Sequence, residues 1–551
     1  MALLATLSIA MVALAGPGPL DARQTRLIDL ALHPYAQPDA PGAVVGVVRG
    51  GKFLYRKGVG MADLERNVKL TPEHVFFVAS VSKQFTATCV LLLEEQGKLK
   101  LSDPVRKYVP ELPHYDPEPT IQHLLNHSSG IRDYYSLNEL KGIDIESYYT
   151  DADILSLICR QKELNFKPGD QYSYSNSGYF LLKTIVERVS KQSIQQFSHE
   201  QIFEPLGMSH TRYQDGVGML VPGRALAYGG SIEGGFANAH NSDAVVGTRG
   251  LLTTIDDFQK WFDNFKHNKL GKGKQELIAR LTTPQKFNDG TPMTYACGLI
   301  VRDIRGVKRI AHTGFFAGYR TRVNYYPDSD TMSFVFCNSY AIDPDALSDK
   351  IEAIVLADQF EKPKPPEKPR EAKPVPVEPA SLLPLVGLYL DAESNALLEV
   401  TLGEAGLVLV DDAAVQKRLV AEGADRFYEP TKGEEVAIVS RNGRPVGFTV
   451  KPPEGKARTF ERQVRVTYDA KALEKFAGTY ESEEVGAEHQ IVMEDGALVL
   501  KVYDDKHTLK ALPNGDFTCP LGRVSFAPDA SSYVVYGGRV KRMPFQRKRD
   551  P

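Results

Sequence analysis

Cysteine is scarce: five residues, Cys89, Cys159, Cys297, Cys337 and Cys519, odd in number, scattered, and nowhere paired as C-x-x-C. That pattern supplies neither a disulfide framework nor a thiolate zinc site, and it predicts buried free thiols. Basic charge is not in surplus either, since 66 Lys and Arg face 69 Asp and Glu for a formal net charge of -3. A chain so balanced has no excess cation with which to neutralise a phosphate backbone, which excludes nucleic acid as an expected partner. Beyond the first sixteen residues no apolar run approaches the ~20 residues a bilayer span needs, so no stable membrane span is expected. Several catalytic signatures are missing as well. There is no G-x-S-x-G elbow, and Gly271-Lys272-Gly273-Lys274 lacks P-loop spacing. His123 and His127 stand four apart as in H-E-x-x-H, but Leu124 occupies the place of the glutamate. No metal and no cofactor is expected.

What is present begins with length. At 551 residues the chain exceeds the ~250 to 300 residues that one core sustains, so two or three domains are expected. Hydrophobic residues at 42% and charged residues at 25% are ordinary globular usage and exclude a disordered or fibrous chain. The opening MALLATLSIAMVALAG is apolar and ends in Ala13-Leu14-Ala15, an A-x-A pattern before Gly16. It reads as a cleavable export signal within residues 1–22, although no basic residue precedes Arg23, and it places the mature protein in the periplasm or outside the cell. The sharpest change of composition is EKPKPPEKPREAKPVPVEPA, residues 361 to 380, a semi-rigid proline-rich linker. The expected division is therefore a catalytic region at 23–358, a linker at 359–381, and two further domains at 382–465 and 466–551.

Upstream of the linker, GAVVGVV and FLYRKGVG flank a turn at Arg49-Gly50-Gly51, and CGLIVRDI, VKRIAHTG, YRTRVNYYP and TMSFVFCN supply three or four further strands near residue 340. Between these two sets the periodicity is helical, with Phe85, Cys89 and Leu92 or Leu93 on one face. An α+β domain is expected, an antiparallel sheet closed by sequence-distant strands with helices inserted. Downstream, alternating strands occur as two related copies. Gly387-Leu388-Tyr389 matches Gly478-Thr479-Tyr480, and Thr459-Phe460-Glu461-Arg462 resembles Pro544-Phe545-Gln546-Arg547. Two small antiparallel β-barrels or sandwiches are predicted.

Chemistry concentrates in three places. Ser80-Val81-Ser82-Lys83 lies where the extended VFFVA meets the start of a helix, so Ser80 and Lys83 share one face a turn apart. A lysine desolvated by apolar neighbours can take a serine proton, and a serine at a helix N-terminus gains backbone N–H donors. The same four residues also suit an N-cap serine and a solvated lysine. Tyr174-Ser175-Asn176 follows the turn KPGDQYS, and His312-Thr313-Gly314 ends a strand where glycine lets another backbone approach.

Together, in this order and on these elements, the three motifs resemble those of the serine β-lactamase and penicillin-binding protein superfamily. The nearest branch is that of class C-like esterases and D-aminopeptidases, in which His replaces the Lys of K-T-G. LLNHSSGIRDYYSL, IFEPLGMSHTRY and RGLLTTIDDFQKW extend the resemblance over residues ~40 to 345. It implies a transpeptidase-like fold and a metal-free serine hydrolase that forms an acyl-enzyme on small esters or on D-amino-acid amides and peptides. A β-lactamase, a D,D-carboxypeptidase, or a catalytically weak protein that binds penicillin or cell-wall fragments are the alternatives. By resemblance Ser80 is the nucleophile, Lys83 and Tyr174 share acid and base duties, and His312 assists at the strand edge. Asn176, Thr313, Gly314 and Phe315 bind substrate, with the backbone N–H groups of Ser80 and Phe315 as oxyanion donors. The two β modules resemble those of D-aminopeptidases, in which a loop of the last module meets the substrate's amino group. Asp504 and Asp505 are the residues that would play this part, set against the plainer reading of a solvated turn.

Overall fold

Gly50 and Gly51 both adopt positive φ, +58° and +74°, the conformation a two-residue hairpin turn requires of its centre. They join β1 (Ala43–Arg49) to β2 (Lys52–Val59). The computed structural model describes residues 19–242, 244–361, 370–391, 396–403, 406–411, 415–453 and 457–549. Most of the expected export signal, residues 1–18, lies outside the described residues. Four later strands complete the sheet: β3 (Ile300–Ile304), β4 (Val307–Phe316), β5 (Tyr319–Tyr326) and β6 (Thr331–Cys337). Their order is β3-β4-β5-β6-β1-β2, antiparallel, with Val45 opposite Val335 where the two ends of the region meet. The expectation of a sheet closed by sequence-distant strands is met.

Helices cover both faces. Ile28 and Leu32 of α1 (Ala22–Leu32) and Leu347 and Ile351 of α5 (Pro344–Val355) share a core with Val45, Val47 and Val335. This is why β1 is apolar at almost every position rather than alternating. Against the other face, Phe258 and Phe262 of α4 (Ile255–Lys266) pack on Phe334. The helix α2 (Lys83–Glu95) is buried from Lys83 through Leu93 on all sides, so the single apolar face read from its periodicity understates it. Its polar positions are satisfied internally: Thr86 Oγ1 donates to the Gly247 carbonyl and Thr88 Oγ1 to the Gln84 carbonyl. Next to it packs α3 (Asn176–Ser190).

The chain divides into two compact units. The first holds this sheet and its helices. The second holds the described residues from Arg370 onward, the second half of the linker included, together with Arg132–Ile145 and Arg160–Asn165, two stretches from within the 23–358 region. Inside that second unit Arg132 Nη1 donates to Glu484 Oε2 at 2.8 Å, and Ser136 and Asn165 hydrogen-bond the turn at Arg539 and Lys541. Among the described residues the first β module is a nine-stranded antiparallel sheet between Gly387 and Gln463, and the second is a closed barrel of eight strands from Gly478 to Arg547. The repeat seen in the sequence is geometric too. Tyr389 O–H donates to Leu385 O and Tyr480 O–H to Phe476 O, and the guanidinium of Arg462 lies over Tyr389 as that of Arg547 lies over Tyr480. Of the linker, residues 362–369 lie outside the described residues. Its second half is docked, with Arg370 on the Tyr428 ring and paired to Glu422, and the Val375 N–H donating to Ala421 O.

Candidate active site

Two short features bring the chain to Ser80. The strand Phe76–Phe77 runs into Ala79, which holds a left-handed φ of +46°, a conformation a β-carbon resists and surroundings must enforce. Ser82 supplies part of that enforcement: its Oγ donates to Ala79 O at 2.6 Å and accepts from the Leu251 N–H at 3.1 Å. A turn of 3-10 helix (Ala79–Ser82) then leads into α2, so Ser80 stands at the helix start, partly exposed.

Lys83 is fully buried, and its Nζ donates to Ser80 Oγ at 3.1 Å, to Asn176 Oδ1 at 2.9 Å and to the Thr248 carbonyl at 2.8 Å. The Tyr174 and Tyr179 ring centroids lie 4.8 and 5.7 Å from the same nitrogen. The Ser80 and Tyr174-Ser175-Asn176 motifs and the Thr248 carbonyl thus converge on one amine, and the solvated-lysine alternative is set aside. Thr248 escaped the sequence reading because a carbonyl carries no residue-type signature. Only the glycines bracketing Gly247-Thr248-Arg249-Gly250 hint at an unusual backbone there.

His312 sits 2% exposed on β4. Its Nδ1 faces the Thr313 carbonyl at 2.6 Å, which can only accept, so Nδ1 carries the proton and Nε2 accepts from Tyr295 O–H at 2.9 Å. Burial, helped by the nearby Lys83 charge, pushes His312 down to about 3, so the imidazole is neutral and both its nitrogens are bonded within the protein. No motif marks Tyr295. Gly314 is required by contact: a β-carbon there would lie 2.2 Å from the Val78 carbonyl. Thr313 pairs with Arg322 on β5. The β4–β5 hairpin turns at Ala317 and Gly318, both at positive φ. Phe316 and Tyr319 are therefore the hydrogen-bonded closing pair, and the next pair, Phe315 with Arg320, directs its backbone groups away from β5. The β3 pairing ends at Ala311, so the Phe315 N–H points to the side of β4 that β3 has left. Its side chain is 59% exposed and stacks on Tyr340 at 4.7 Å.

Asp504 and Asp505 belong to the second unit. Tyr503 and Asp504 form a two-residue turn, and Asp505 begins the next strand, all exposed. His123 caps its own short helix, its Nδ1 accepting from the Thr120 N–H, while His127 is enclosed by tyrosines. Among the described residues no cluster of three or more His, Cys, Asp or Glu is arranged to hold a metal, and no helix is long and apolar enough to cross a membrane.

Comparison with known proteins agrees with this geometry. A D-aminopeptidase of Gluconobacter oxydans is 29% identical over 411 residues, 73% of this chain and 76% of that one. A D-aminopeptidase of Brucella melitensis is 29% identical over 473 residues, 83% and 82% of the two chains. Among solved structures, the octameric penicillin-binding protein homologue from Pyrococcus abyssi shares the fold with a TM-score of 0.54, over 79% of this chain and 99% of that one, at 23% identity. The β-lactamase family profile matches residues 27–358, well over half the chain and a span that takes in Ser80, Tyr174 and His312, and the chain accordingly belongs to the β-lactamase family of serine hydrolases.

Proposed function

We propose that the protein is a D-aminopeptidase-type amidohydrolase, opening the amide bond of short substrates with an amino-terminal D-residue through an acyl-enzyme on Ser80. The observation that carries this is Lys83 Nζ held 3.1 Å from Ser80 Oγ and 2.9 Å from Asn176 Oδ1, in a chain 29% identical to two D-aminopeptidases over most of both lengths. Ser80 Oγ attacks the carbonyl carbon while its proton passes to the Lys83 and Tyr174 pair. The same pair protonates the leaving amine, and water then releases the acid by the reverse transfer. The backbone N–H groups of Ser80 and Phe315 receive the oxyanion, donors typically worth about 3 to 4 kcal/mol each to the transition state. Asn176 orients Lys83 and the substrate, and Thr313 and Gly314 form the strand edge along which substrate lies. His312 is a neutral strut of that edge. It offers no fixed positive charge to a substrate carboxylate, which disfavours the β-lactamase and D,D-carboxypeptidase alternatives. The A-x-A boundary near residue 15 supports export, where fragments of cell wall would supply D-residues.

The test is covalent labelling with a fluorophosphonate, mapped by mass to Ser80, alongside hydrolysis of D-alanyl, L-alanyl and N-acetyl-D-alanyl anilides. The D-anilide with a free amine should be cleaved fastest. Faster cleavage of the L form, or labelling at another residue, would overturn the assignment.

A further inference from the structure

Tyr174 lies in the loop ahead of α3, where a side chain is ordinarily free to swing. His127 closes on it from three directions. The His127 carbonyl accepts from the Ser173 N–H at 2.9 Å, its Nδ1 accepts from the Ser175 N–H at 3.1 Å, and its ring lies 4.2 Å from the Tyr174 ring. The two hydrogen bonds thus grip the backbone on either side of Tyr174 while the ring supports its side chain. A backbone N–H can only donate, so Nδ1 carries no proton and its tautomer is set.

His127 is itself held with unusual firmness. Its φ is +58°, a left-handed conformation that a residue with a β-carbon keeps only when its surroundings enforce it. The flanking chain supplies the enforcement: the Ser128 N–H donates to His123 O, and the Gly169 N–H to Ser128 O. The ring is 1% exposed, with Tyr295 at 4.5 Å and Tyr179 at 5.1 Å. A histidine needed only to fill a core would not have to satisfy the N–H groups at i-1 and i+1 of one loop residue at once.

We propose that His127 is the positioning residue of Tyr174, fixing the phenol beside Lys83 without touching substrate. This rests on the reading of Tyr174 as a proton carrier. Two substitutions separate the parts of the grip. His127→Asn tolerates the left-handed backbone and offers an oxygen to the Ser175 N–H, whereas His127→Phe keeps a ring and removes the acceptor. Each is made in the full chain, alone and with Tyr174→Phe, and kcat and KM are measured on D-alanyl anilide together with the thermal midpoint. Misplacing a catalytic group by about 1 Å can cost about 100-fold. His127→Phe is expected to lower kcat by about that factor with KM held within about threefold, and His127→Asn to stay within about tenfold of wild type. In the Tyr174→Phe background both should change kcat by less than about twofold. Equal losses in the two backgrounds, or a loss confined to KM, overturn the proposal. Should His127→Phe fail to fold, His127→Asn carries the same cycle, and equal losses there overturn it as well. Full activity in Tyr174→Phe alone is a different result: it removes the proton-carrier reading, and this proposal with it.

Discussion

Two lysines of the first unit are buried almost equally, Lys83 at 0% and Lys183 at 4% exposure, and the hydrogen bonds and ion pairs that hold them go to different kinds of group. Lys183 Nζ meets the carboxylates of Asp151 and Glu187. Burial works against its charge, but those two carboxylates overcome the penalty and hold it above the ordinary lysine value. The hydrogen bonds given above for Lys83 go to a hydroxyl, an amide and a carbonyl oxygen. Carboxylates favour the charged form of an amine, as they do for Lys183. Burial alone therefore does not distinguish Lys183 from the lysine proposed to work on Ser80.

The largest effects would break that contrast directly. Ser80→Ala should remove turnover by on the order of a millionfold, and Lys83→Met should come close to it with no multiplication in the double variant, because in the proposed mechanism both act in one transfer. Lys183→Met should leave kcat within about twofold. Since Asp151 is half exposed, solvent screens what is lost, and stability should fall by only about 1 kcal/mol. Stopped assays and urea midpoints on the four variants check this. Comparable losses of activity from the two lysines would erase the distinction.

The second unit repeats the contrast on neighbouring glutamates. Glu484 accepts from Arg132 Nη1 and the Lys162 N–H, with the two side chains of the ion pair 1% and 6% exposed. Glu483 meets Lys162 Nζ with side chains 66% and 82% exposed. Glu484→Ala leaves a buried guanidinium without its charge partner and should cost about 3 to 5 kcal/mol. Glu483→Ala should cost no more than about 0.5 kcal/mol. Urea unfolding of both variants decides, and similar midpoints would mean that the Arg132 pair is not the fastening it resembles.

Why some of this could be read from the chain and some could not follows from distance along it. Ser80 and Lys83 are three apart at a helix start, a spacing that itself states their proximity, and the glycine pair announces the β1–β2 turn, although Arg49, read as part of it, ends β1. Arg132 and Glu484 are 352 residues apart, and nothing local to Arg132 marks it as a partner of the last barrel. Thr248 contributes a backbone carbonyl, which any residue could. Tyr295 was invisible because its role depends on the tautomer that Thr313 imposes on His312. Even the linker composition was a partial guide: residues 370–378 form no helix or strand, but the docking of Arg370 depends on Tyr428 and Glu422, more than fifty positions away.

Acid should sharpen the comparison through two buried histidines. Burial first of all pushes His312 down to about 3 and His489 down to about 4. His489 Nε2 donates to Leu140 O and its Nδ1 accepts from Tyr533 O–H. Both folded values lie below the ~6.5 of an unfolded histidine. Between the two, the unfolded chain binds the extra proton, so this stability is fully present above about pH 6.5 and is lost as pH falls towards 4 and then 3. His489 alone should account for on the order of 3 kcal/mol across that window. His489→Gln keeps a donor and an acceptor without a titrating group and should flatten the urea midpoint between pH 7 and 4.5. An unchanged slope would assign the acid sensitivity elsewhere.

The smallest effect is expected where charge is least confined. Asp504 and Asp505 stand exposed at a two-residue turn and the start of its following strand. Replacing both with Asn should shift stability by less than about 0.5 kcal/mol, as for surface positions generally. Because solvent screens exposed carboxylates, the preference for D-alanyl anilide over its N-acetylated form should change by less than about threefold, and added salt should abolish the difference. A tenfold or greater loss of that preference, with the thermal midpoint unmoved, would show instead that these carboxylates meet the substrate ammonium out of water. They would then stand with Glu484 rather than with Glu483, as charges whose value comes from what they face.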